Sequence, residues 1–305
     1  MRENTKRKTQ KMGNLKKIVK KENKIELILI DGMSMVYKYF YAMSALKNKK
    51  GELTGLFHGF LSLVLSKESC NSRLVVCWEG GHLIRKELMK SYKSQRKTKP
   101  DAMEIQISKL KYMLGLMGIE QKFMPGYEAD DVAGVLSRTS NKILFISGDK
   151  DWFQLMKKDC IMLYRGKELT YSEVEKQEEF PPKKIILYKM MKGDISDNIK
   201  GIPQFPTQLA KEITRNCNSL AEIYKYTPDK PADQKWITKL RESKKDNKLR
   251  MEILTIKRKG ILEDLPVPKK NINELKRMLL EMELFKVLNL LNRRETTCHT
   301  KLLVR

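Results

Sequence analysis

The sequence lacks the features that define several common protein classes. It has no run of eighteen apolar residues, which excludes a membrane-spanning helix. The basic first 24 residues contain no apolar stretch, so they do not form a secretory signal. The five cysteines are odd in number and show no metal-binding spacing, which argues against a disulfide framework or a cysteine-bound metal. We therefore expect a protein of the reducing cytoplasm.

Histidine is also scarce, and acidic residues are outnumbered by basic ones. Three histidines leave no candidate for a Ser–His–Asp triad. Lys and Arg total 62 against 37 Asp and Glu, which gives a formal net charge of +25. A surplus of this size favours nucleic acid as the partner. We expect no membrane binding, because the basic segment 1–24 lacks the broad apolar face of a membrane-surface helix and is interpreted as a flexible arm.

Three short apolar runs have the length and composition of buried β-strands, and helical patterns lie between them. The runs are Ile25–Ile30, Leu74–Trp78 and Ile143–Ile146. They lead into Asp31, Glu79 and Ser147-Gly148-Asp149, respectively. Alternating strands and helices predict an α/β fold with a mostly parallel sheet, whose functional site lies beyond the carboxyl ends of the strands. The predicted helices are 33–46, 56–66, 102–116, 129–137, 183–192, 208–215 and 273–291, and 228–248 is predicted as a loop with short helical pieces.

Acidic residues cluster at these strand ends and in two further segments. The candidates are Asp31, Glu79, Glu128, Asp130, Asp131, Asp149, Asp151, Asp194 and Asp197. Turn chemistry or the helix dipole explains any one of them alone. Together they favour a cleft loaded with hard divalent cations, because converging carboxylates repel one another. Two such ions promote the hydrolysis of a phosphodiester by water. We expect the bound ions to be Mg²⁺, with Mn²⁺ as a substitute.

Four motifs then occur in an order that resembles the 5′ nuclease (flap endonuclease) family. They are Leu27–Gly32, Gly126–Val132, Ser147–Leu155 and Gly193–Pro203. The resemblance extends to the N-terminal 5′→3′ exonuclease domain of bacterial DNA polymerase I and to stand-alone phage 5′ nucleases. It implies a PIN-like core flanked by helices, followed by a C-terminal helical subdomain of the helix-hairpin-helix type. The expected organisation is a basic arm at 1–24, a nuclease core at 25–180 with a helical cap near 85–117, helices at 181–295 and a tail at 296–305.

The resemblance also implies roles for individual residues. One ion would lie near Asp31, Glu128, Asp130 and Asp131, and the other near Asp149, Asp151, Asp194 and Asp197. The predicted catalytic cations are Lys93 and Arg96 at the scissile phosphate, assisted by Lys38 and Arg85. Tyr92 would either stack on a terminal base or simply pack in the interior. The other predicted nucleic-acid contacts are Lys97, Lys192, Lys200, Gly201 and Lys211.

Two departures from the family pattern have chemical consequences. Glu79 replaces the usual Asp and moves its carboxylate by one methylene, so we expect altered rate or metal preference rather than loss of activity. In the hairpin, Gln204 and Pro206 replace glycines and Gln208 replaces a lysine. These replacements argue against the K⁺ site that the resemblance would otherwise imply.

The resemblance implies a free-standing, metal-dependent nuclease that acts at 5′ ends or flaps in replication and repair. A compact chain of this kind is typical of phage-encoded members of the family, and such an enzyme would act in the host cytoplasm. Expected partners are flapped, nicked or gapped DNA, an RNA–DNA hybrid at primers, and a single-strand-binding or replication protein; we expect a monomer. Two alternatives stay open. One is a catalytically impaired binding protein of the same fold, and the other is a PIN-type ribonuclease that acts only on RNA.

Overall fold

The computed structural model describes residues 24–68 and 71–302 of the chain, with side chains described as far as Glu295. The predicted basic arm, except for Lys24, therefore lies outside the described residues. The same holds for Cys70 and for the side chains of the predicted tail, which include Cys298 and His299. The cysteines at 77, 160 and 217 are free and buried.

A seven-stranded, mostly parallel sheet forms the centre of the molecule and confirms the predicted α/β class. The strands of this sheet are β1 (Leu27–Asp31), β2 (Arg73–Cys77), β3 (Glu120–Phe123), β4 (Ile143–Ile146), β5 (Ile161–Tyr164), β6 (Lys167–Thr170) and β9 (Glu263–Asp264). Their order is β6-β5-β4-β1-β2-β3-β9. The five from β5 to β3 are parallel, and β6 and β9 close the two edges antiparallel.

Thirteen α-helices occur within the described residues. They are α1 (Gly32–Ala42), α2 (Gly55–Lys67), α3 (Leu83–Leu88), α4 (Asp101–Met117), α5 (Ala129–Leu136), α6 (Tyr171–Glu178), α7 (Ile185–Lys192), α8 (Thr207–Asn216), α9 (Leu220–Lys225), α10 (Gln234–Glu242), α11 (Lys244–Leu254), α12 (Ile272–Glu281) and α13 (Phe285–Leu302). Short 3₁₀ helices lie at Lys150–Leu155, Pro182–Lys184 and Pro231–Asp233. None of the helices in the described ranges has both the length and the apolar character that a membrane span requires.

Both faces of the sheet are covered because alternate residues of a strand point to opposite sides. Ile28 and Ile30 pack with residues of α1, α2, α4, α12 and α13. Leu27 and Leu29 pack on the other side with α5 and the 3₁₀ helix after β4. Burial on both faces explains why these strands are continuously apolar instead of alternating.

A helical layer follows the sheet and contains a small hairpin. The strands β7 (Gly193–Asp194) and β8 (Ile199–Lys200) pair antiparallel between α7 and α8. Residues from α7 through α11 share a separate apolar core with Tyr92. This arrangement places the hairpin, with its acidic residues, beside the carboxyl edge of the sheet.

The structure corrects two predictions in the C-terminal half. The segment 228–248, predicted to be mostly loop, contributes the helices α10 and α11, whose apolar faces are buried in the helical layer. The single helix predicted at 273–291 is instead divided into α12 and α13. The break falls at Met282–Leu284, where Glu283 adopts a left-handed φ of 55° and so ends the first helix.

Candidate active site

The ends of β1 and β4 hold the first acids of the site. Asp31 caps α1, and its Oδ1 accepts a hydrogen bond from the Ser34 amide at 3.0 Å. The Ser147 hydroxyl donates to Asp31 Oδ2 at 2.6 Å and so links the two strand ends. Asp149 follows β4 and accepts a hydrogen bond from the Asp151 amide at 2.9 Å. Adjacent parallel strands thus bring the two acidic loops to one edge, as the sequence pattern predicts.

Asp31 is buried in this position, and its protonation is therefore shifted. Burial raises the pKa of Asp31 from 3.8 to about 7, although its hydrogen bonds to Ser147 and Ser34 oppose the shift. Repulsion from Asp149 and Glu79 contributes to this raised pKa. Without a counter-cation, the folded protein therefore holds a proton on Asp31 that the unfolded chain releases at lower pH.

This shift gives a pH dependence of stability that can be measured in EDTA. Between pH 4 and pH 7 the folded state binds more protons at Asp31 than the unfolded state, so the contribution of Asp31 to stability falls as the pH rises through this window. We expect urea unfolding free energies to decrease from pH 5 to pH 8 more steeply for wild type than for Asp31→Asn. The exposed Asp159→Asn variant should keep the wild-type slope, and equal slopes for wild type and Asp31→Asn would contradict the assignment.

The start of α5 provides three more acids, which face in different directions. Glu128 and Asp131 form a capping box at the helix start. Asp131 is completely buried and binds the Arg85 guanidinium through both oxygens, at 2.5 and 3.0 Å. The Lys257 amide also donates to Asp131 at 2.8 Å. Asp131, predicted as a metal ligand, is therefore committed to protein partners beneath the site.

Arg85 shares this buried position and does not reach open solvent. It is 4% exposed, and its Nε donates to the Ile253 carbonyl at 2.9 Å. Burial by itself would lower the pKa of Arg85. The negative charges of Asp130, Asp131 and Glu128 have the larger effect, so the pKa is raised above its usual value and the guanidinium stays charged. The sequence predicted that Arg85 assists the cations at the scissile phosphate, whereas its surroundings fit a structural counter-ion.

Two carboxylate oxygens at the start of α5 have no hydrogen-bond partner among the residues that the structure describes. Glu128 Oε1 and Asp130 Oδ1 are buried and accept no hydrogen bond. Burial raises the pKa of Asp130 well above its usual value, despite the nearby Arg85. Buried oxygen atoms are rarely left unsatisfied, and anionic oxygens facing a cleft are the ligands that hard divalent cations take. The donor set of this cleft therefore fits such cations.

The hairpin supplies the remaining acids. Asp194 Oδ1 accepts hydrogen bonds from the Ser196 amide at 2.9 Å and the Ser196 hydroxyl at 2.6 Å, which fixes the turn. Oxygens of Asp151, Asp194 and Asp197 all lie within 4.8 Å of one another. This cluster joins residues from the sheet with residues from the helical layer, and its spacing suits a shared cation.

Two basic side chains of the segment between α3 and α4 partly neutralise these acids. Lys93 contacts Glu128 and lies 3.9 Å from Asp197. Arg96 Nη2 lies 2.9 Å from Asp197 Oδ1, with 45% of its side chain exposed. Lys93 has a left-handed φ of 53°, a strained conformation that is typical of functional positions. A phosphate entering the cleft would meet these two cations at its rim.

One cavity of about 720 Å³ collects most of the predicted residues. The predicted acids that line it are Asp31, Glu79, Glu128, Asp130, Asp149 and Asp194, and the predicted cations that line it are Lys93, Arg96 and Lys192. Asp151 and Asp197 contact these side chains from just below the cavity wall. Asp131 and Arg85 lie behind the cavity and do not line it.

The predicted DNA contacts are spread over a wider surface. Lys38 lines a neighbouring cavity rather than the acidic one, and Lys97 and Lys200 are exposed. Lys192 donates to the Phe205 carbonyl at 2.6 Å, and Lys211 pairs with Glu179. Gly201 packs so closely on the backbone of 191–193 that a Cβ would lie 2.2 Å from a carbonyl carbon, so glycine is required there for packing.

Tyr92 does not have the base-stacking geometry that the sequence suggested. Its ring is 2% exposed and packs in the core of the helical layer. Its hydroxyl lies 3.2 Å from Glu128 Oε2 and 3.0 Å from Asp197 Oδ2, and burial with these carboxylates raises the pKa of Tyr92. Its burial favours the packing alternative, and its hydroxyl ties the start of α5 to the hairpin.

Two residues of the site escaped the sequence prediction. Lys189 on α7 contacts Asp151 and lies 2.6 Å from Asp194; its signal was a lysine one helical turn before the Gly193-Asp194 motif. Tyr37 lines the cavity and stacks on Tyr41, with ring centroids 6.3 Å apart. Tyr37 and Tyr41 are four residues apart on α1, so both rings lie on one exposed face of that helix.

Comparison with known proteins settles the family. Residues 26–183 match the family model described as "5'-3' exonuclease, N-terminal resolvase-like domain". A 5'-3' exonuclease of Aquifex aeolicus is 31% identical over 273 residues, which cover 85% of this chain and 92% of that protein. The chain belongs to the 5′-3′ exonuclease family. This 5′ nuclease is therefore a phosphodiesterase, and the resemblance inferred from its motifs is confirmed.

Solved structures agree with the fold of this 5′ nuclease. The D15 protein of bacteriophage T5, crystallised with metal ions, aligns with a TM-score of 0.59 at 19% identity and covers 75% of this chain and 89% of its own. The catalytic core of Rad2 in complex with DNA substrate aligns with a TM-score of 0.57 at 14% identity, over 89% of this chain and 92% of its own. At these identities the likeness supports the PIN-like 5′ nuclease architecture.

Proposed function

We propose that this 5′ nuclease cleaves flapped or 5′-ended DNA at the branch point in a reaction that requires divalent cations, and that it removes flaps and RNA primers during replication and repair. The convergence of acids from β1, α5, β4 and the β7–β8 hairpin in one cavity carries this proposal. The same cavity also contains the cations Lys93 and Arg96, which would attract the phosphates of a nucleic acid to the acidic cleft. The reducing cytoplasm, of a host cell if a phage encodes the chain, is the proposed location.

The proposed cofactor is Mg²⁺, with two ions per site and Mn²⁺ as a substitute. Asp31, Glu128 and Asp130 would hold one ion, since two of these side chains carry the unpaired buried oxygens. Asp151, Asp194 and Asp197 would hold the other, with Asp149 beside them. Bound ions of this kind polarise the phosphodiester, activate water and stabilise the leaving oxygen.

The protein's own cations would orient the phosphate. Lys93 is fixed by Glu128, and Arg96 by Asp197, so their charges are placed before the substrate arrives. Preorganised charge lowers the barrier because it needs no rearrangement as negative charge develops. Tyr92 supports both acids from below through its hydroxyl.

The helical layer would bind the duplex next to the cleft. In the segment between β8 and α8, Gln204 adopts a left-handed φ of 59°, the conformation for which the family uses glycine. The Lys192 ammonium donates to the Phe205 carbonyl in this turn, which supports the view that K⁺ is not required there. Lys200 on β8 and the surrounding basic residues would contact phosphates without reading sequence.

A 5′-labelled flap substrate tests the proposed function. We expect cleavage within about one nucleotide of the junction with Mg²⁺ or Mn²⁺, and none in EDTA. The preferred substrate is found by comparing the cleavage rate of this flap with the rates for a matched RNA flap, a nicked duplex and a single strand. Tight, salt-sensitive DNA binding without cleavage would instead identify a binding protein, and cleavage confined to RNA would identify a ribonuclease. The sedimentation coefficient of the enzyme bound to DNA tests whether it acts as a monomer. A change in cleavage rate when single-strand-binding protein is added tests that protein as a partner.

Lys189 gives a separate prediction about metal affinity. Its ammonium contacts two of the three acids in the 4.8 Å cluster and so competes with a cation for the same oxygens. Lys189→Met removes this charge and should lower the dissociation constant for Mn²⁺ by about tenfold. This change corresponds to roughly 1.4 kcal/mol of binding free energy. Calorimetric titration with Mn²⁺ measures this change directly.

Lys150→Met is the matched control for Lys189→Met. Lys150 lines the same cavity but pairs with Glu178 instead of the acid cluster, so its removal should leave the Mn²⁺ affinity near that of wild type. Weaker binding by Lys189→Met would show that the ammonium positions the carboxylates for the metal instead of competing with it.

A further inference from the structure

A second cavity opens beside the acidic one and differs from it in charge. It has a volume of about 410 Å³ and shares Ser34, Gly148 and Arg165 with the acidic cavity. Its charged lining residues are Lys38 and Arg165, and no acidic residue of the described chain lines it. The shared residues show that the two cavities adjoin each other.

Arg165 occupies a position where the backbone disfavours it. The pairing of Tyr164 with Lys167 leaves Arg165 and Gly166 as a two-residue turn between β5 and β6. Their φ values are 49° and 85°, the geometry in which Asn-Gly is the usual choice. A long side chain at such a position is a local strain of the kind found at functional sites.

The charges of Arg165 and Lys38 are available to a ligand. Arg165 is exposed, and its Cζ lies 5.1 Å from the centre of the Tyr164 ring, which holds the side chain above the cavity. Lys38 is exposed and lies over the Tyr39 ring at 5.2 Å. Across the described parts of the chain, neither residue forms an ion pair with a carboxylate.

Apart from these two cations, apolar side chains, Ser34 and two glycines line the cavity, whose size suits one nucleotide. Met35, Leu63 and Leu163 contribute to this lining. Ligand pockets have volumes of about 300–1,000 Å³ and combine apolar walls with a few charged groups. An apolar wall accepts a base only when that base is neither paired nor stacked in a duplex, whereas guanidinium and ammonium groups bind its phosphate.

We propose that this second cavity is a subsite for one unpaired nucleotide of the 5′ strand, with its phosphate between Arg165 and Lys38 and its base against Met35, Leu63 and Leu163. The subsite rests on the proposed function, because the adjoining cleft must receive the same strand. It would favour flapped substrates over duplexes without a flap. Lys38 then acts in substrate binding at this subsite, apart from the acidic cleft.

Binding measurements on Arg165→Asn test the subsite without requiring turnover. Fluorescent flapped and unflapped duplexes are titrated in EDTA, over a series of salt concentrations. We expect Arg165→Asn to bind the flapped duplex about tenfold more weakly, with a salt slope reduced by about one unit, and the unflapped duplex within about twofold of wild type. Its thermal midpoint should equal or exceed that of wild type, because Asn suits the left-handed turn.

Two further variants complete the test. Lys38→Gln removes the second charge from an exposed helical position and should also weaken flap binding selectively. Lys67→Gln removes a nearby charge that pairs with Glu168 and lines neither cavity, so it should bind both duplexes as wild type does. Unchanged flap affinity, or an equal loss on both duplexes, would overturn the subsite. Cleavage by wild type is scored separately, so failure of the nuclease activity is distinguished from failure of the subsite.

Discussion

Asp149→Asn is expected to reduce metal-dependent cleavage by about a thousandfold and to leave DNA binding intact. Asp149 lines the acidic cavity beside the Asp151–Asp194–Asp197 cluster. Metal-assisted stabilisation of the transition state amounts to several kcal/mol, and a loss of about 4 kcal/mol corresponds to this factor. Single-turnover cleavage of a labelled flap with saturating enzyme measures the chemical step.

The substitution is chosen so that folding is preserved. Asp149 Oδ1 accepts the Asp151 amide at the start of a 3₁₀ helix, and the Asn side-chain oxygen can do the same. Asp159→Asn makes the same change of charge at an exposed position outside the cavity and should retain wild-type cleavage. A folded Asp149→Asn protein that cleaves at the wild-type rate would remove this carboxylate from the mechanism.

Arg85→Met is expected to lower the free energy of unfolding by about 3–5 kcal/mol, because it leaves buried carboxylates without their counter-ion. Asp131 is completely buried, and Arg85 also lies 3.5 Å from Asp130 and 3.9 Å from Glu128. Urea unfolding, monitored by far-UV circular dichroism, gives the change. Arg73→Met provides the control, since Arg73 pairs with Glu120 at the surface and should contribute no more than about 1 kcal/mol.

A double-mutant cycle separates this structural role from a catalytic one. Asp131→Asn removes the charge that Arg85 neutralises and keeps an oxygen for the Lys257 amide. The Arg85→Met/Asp131→Asn protein should therefore be less destabilised than the sum of the single variants. If Arg85→Met keeps full stability but loses cleavage, the guanidinium acts on the substrate and the structural assignment is wrong.

The sequence predicted those parts of the site that depend on local pattern. Apolar runs that end in Asp31 and Asp149 identified two strands and the edge at which they meet, because parallel strands share that edge. The motifs around Glu128 and Asp194 identified the other two acidic segments. All four residues line one cavity, so periodicity and motif order were sufficient for the broad arrangement.

The sequence could not predict which way each side chain faces. Asp130 and Asp131 are adjacent, yet one has an oxygen without a partner and the other is sealed against Arg85. Lys189 reaches the acid cluster only because α7 packs beside the hairpin. The break at Glu283 also had no local signal, because the apolar pattern continues across it. These features depend on contacts between segments that are far apart in the chain.

The contacts of residues 253–257 beneath α5 have a consequence for biosynthesis. Arg85 donates to the Ile253 carbonyl, Asp131 accepts from the Lys257 amide, and Gln154 donates to the Leu254 carbonyl. Residues 253–257 are thus translated 100 or more residues after Arg85, Asp131 and Gln154, which they hold. These contacts can form only after residue 257 has left the ribosomal exit tunnel, so the support beneath α5 is completed late in the synthesis of the chain.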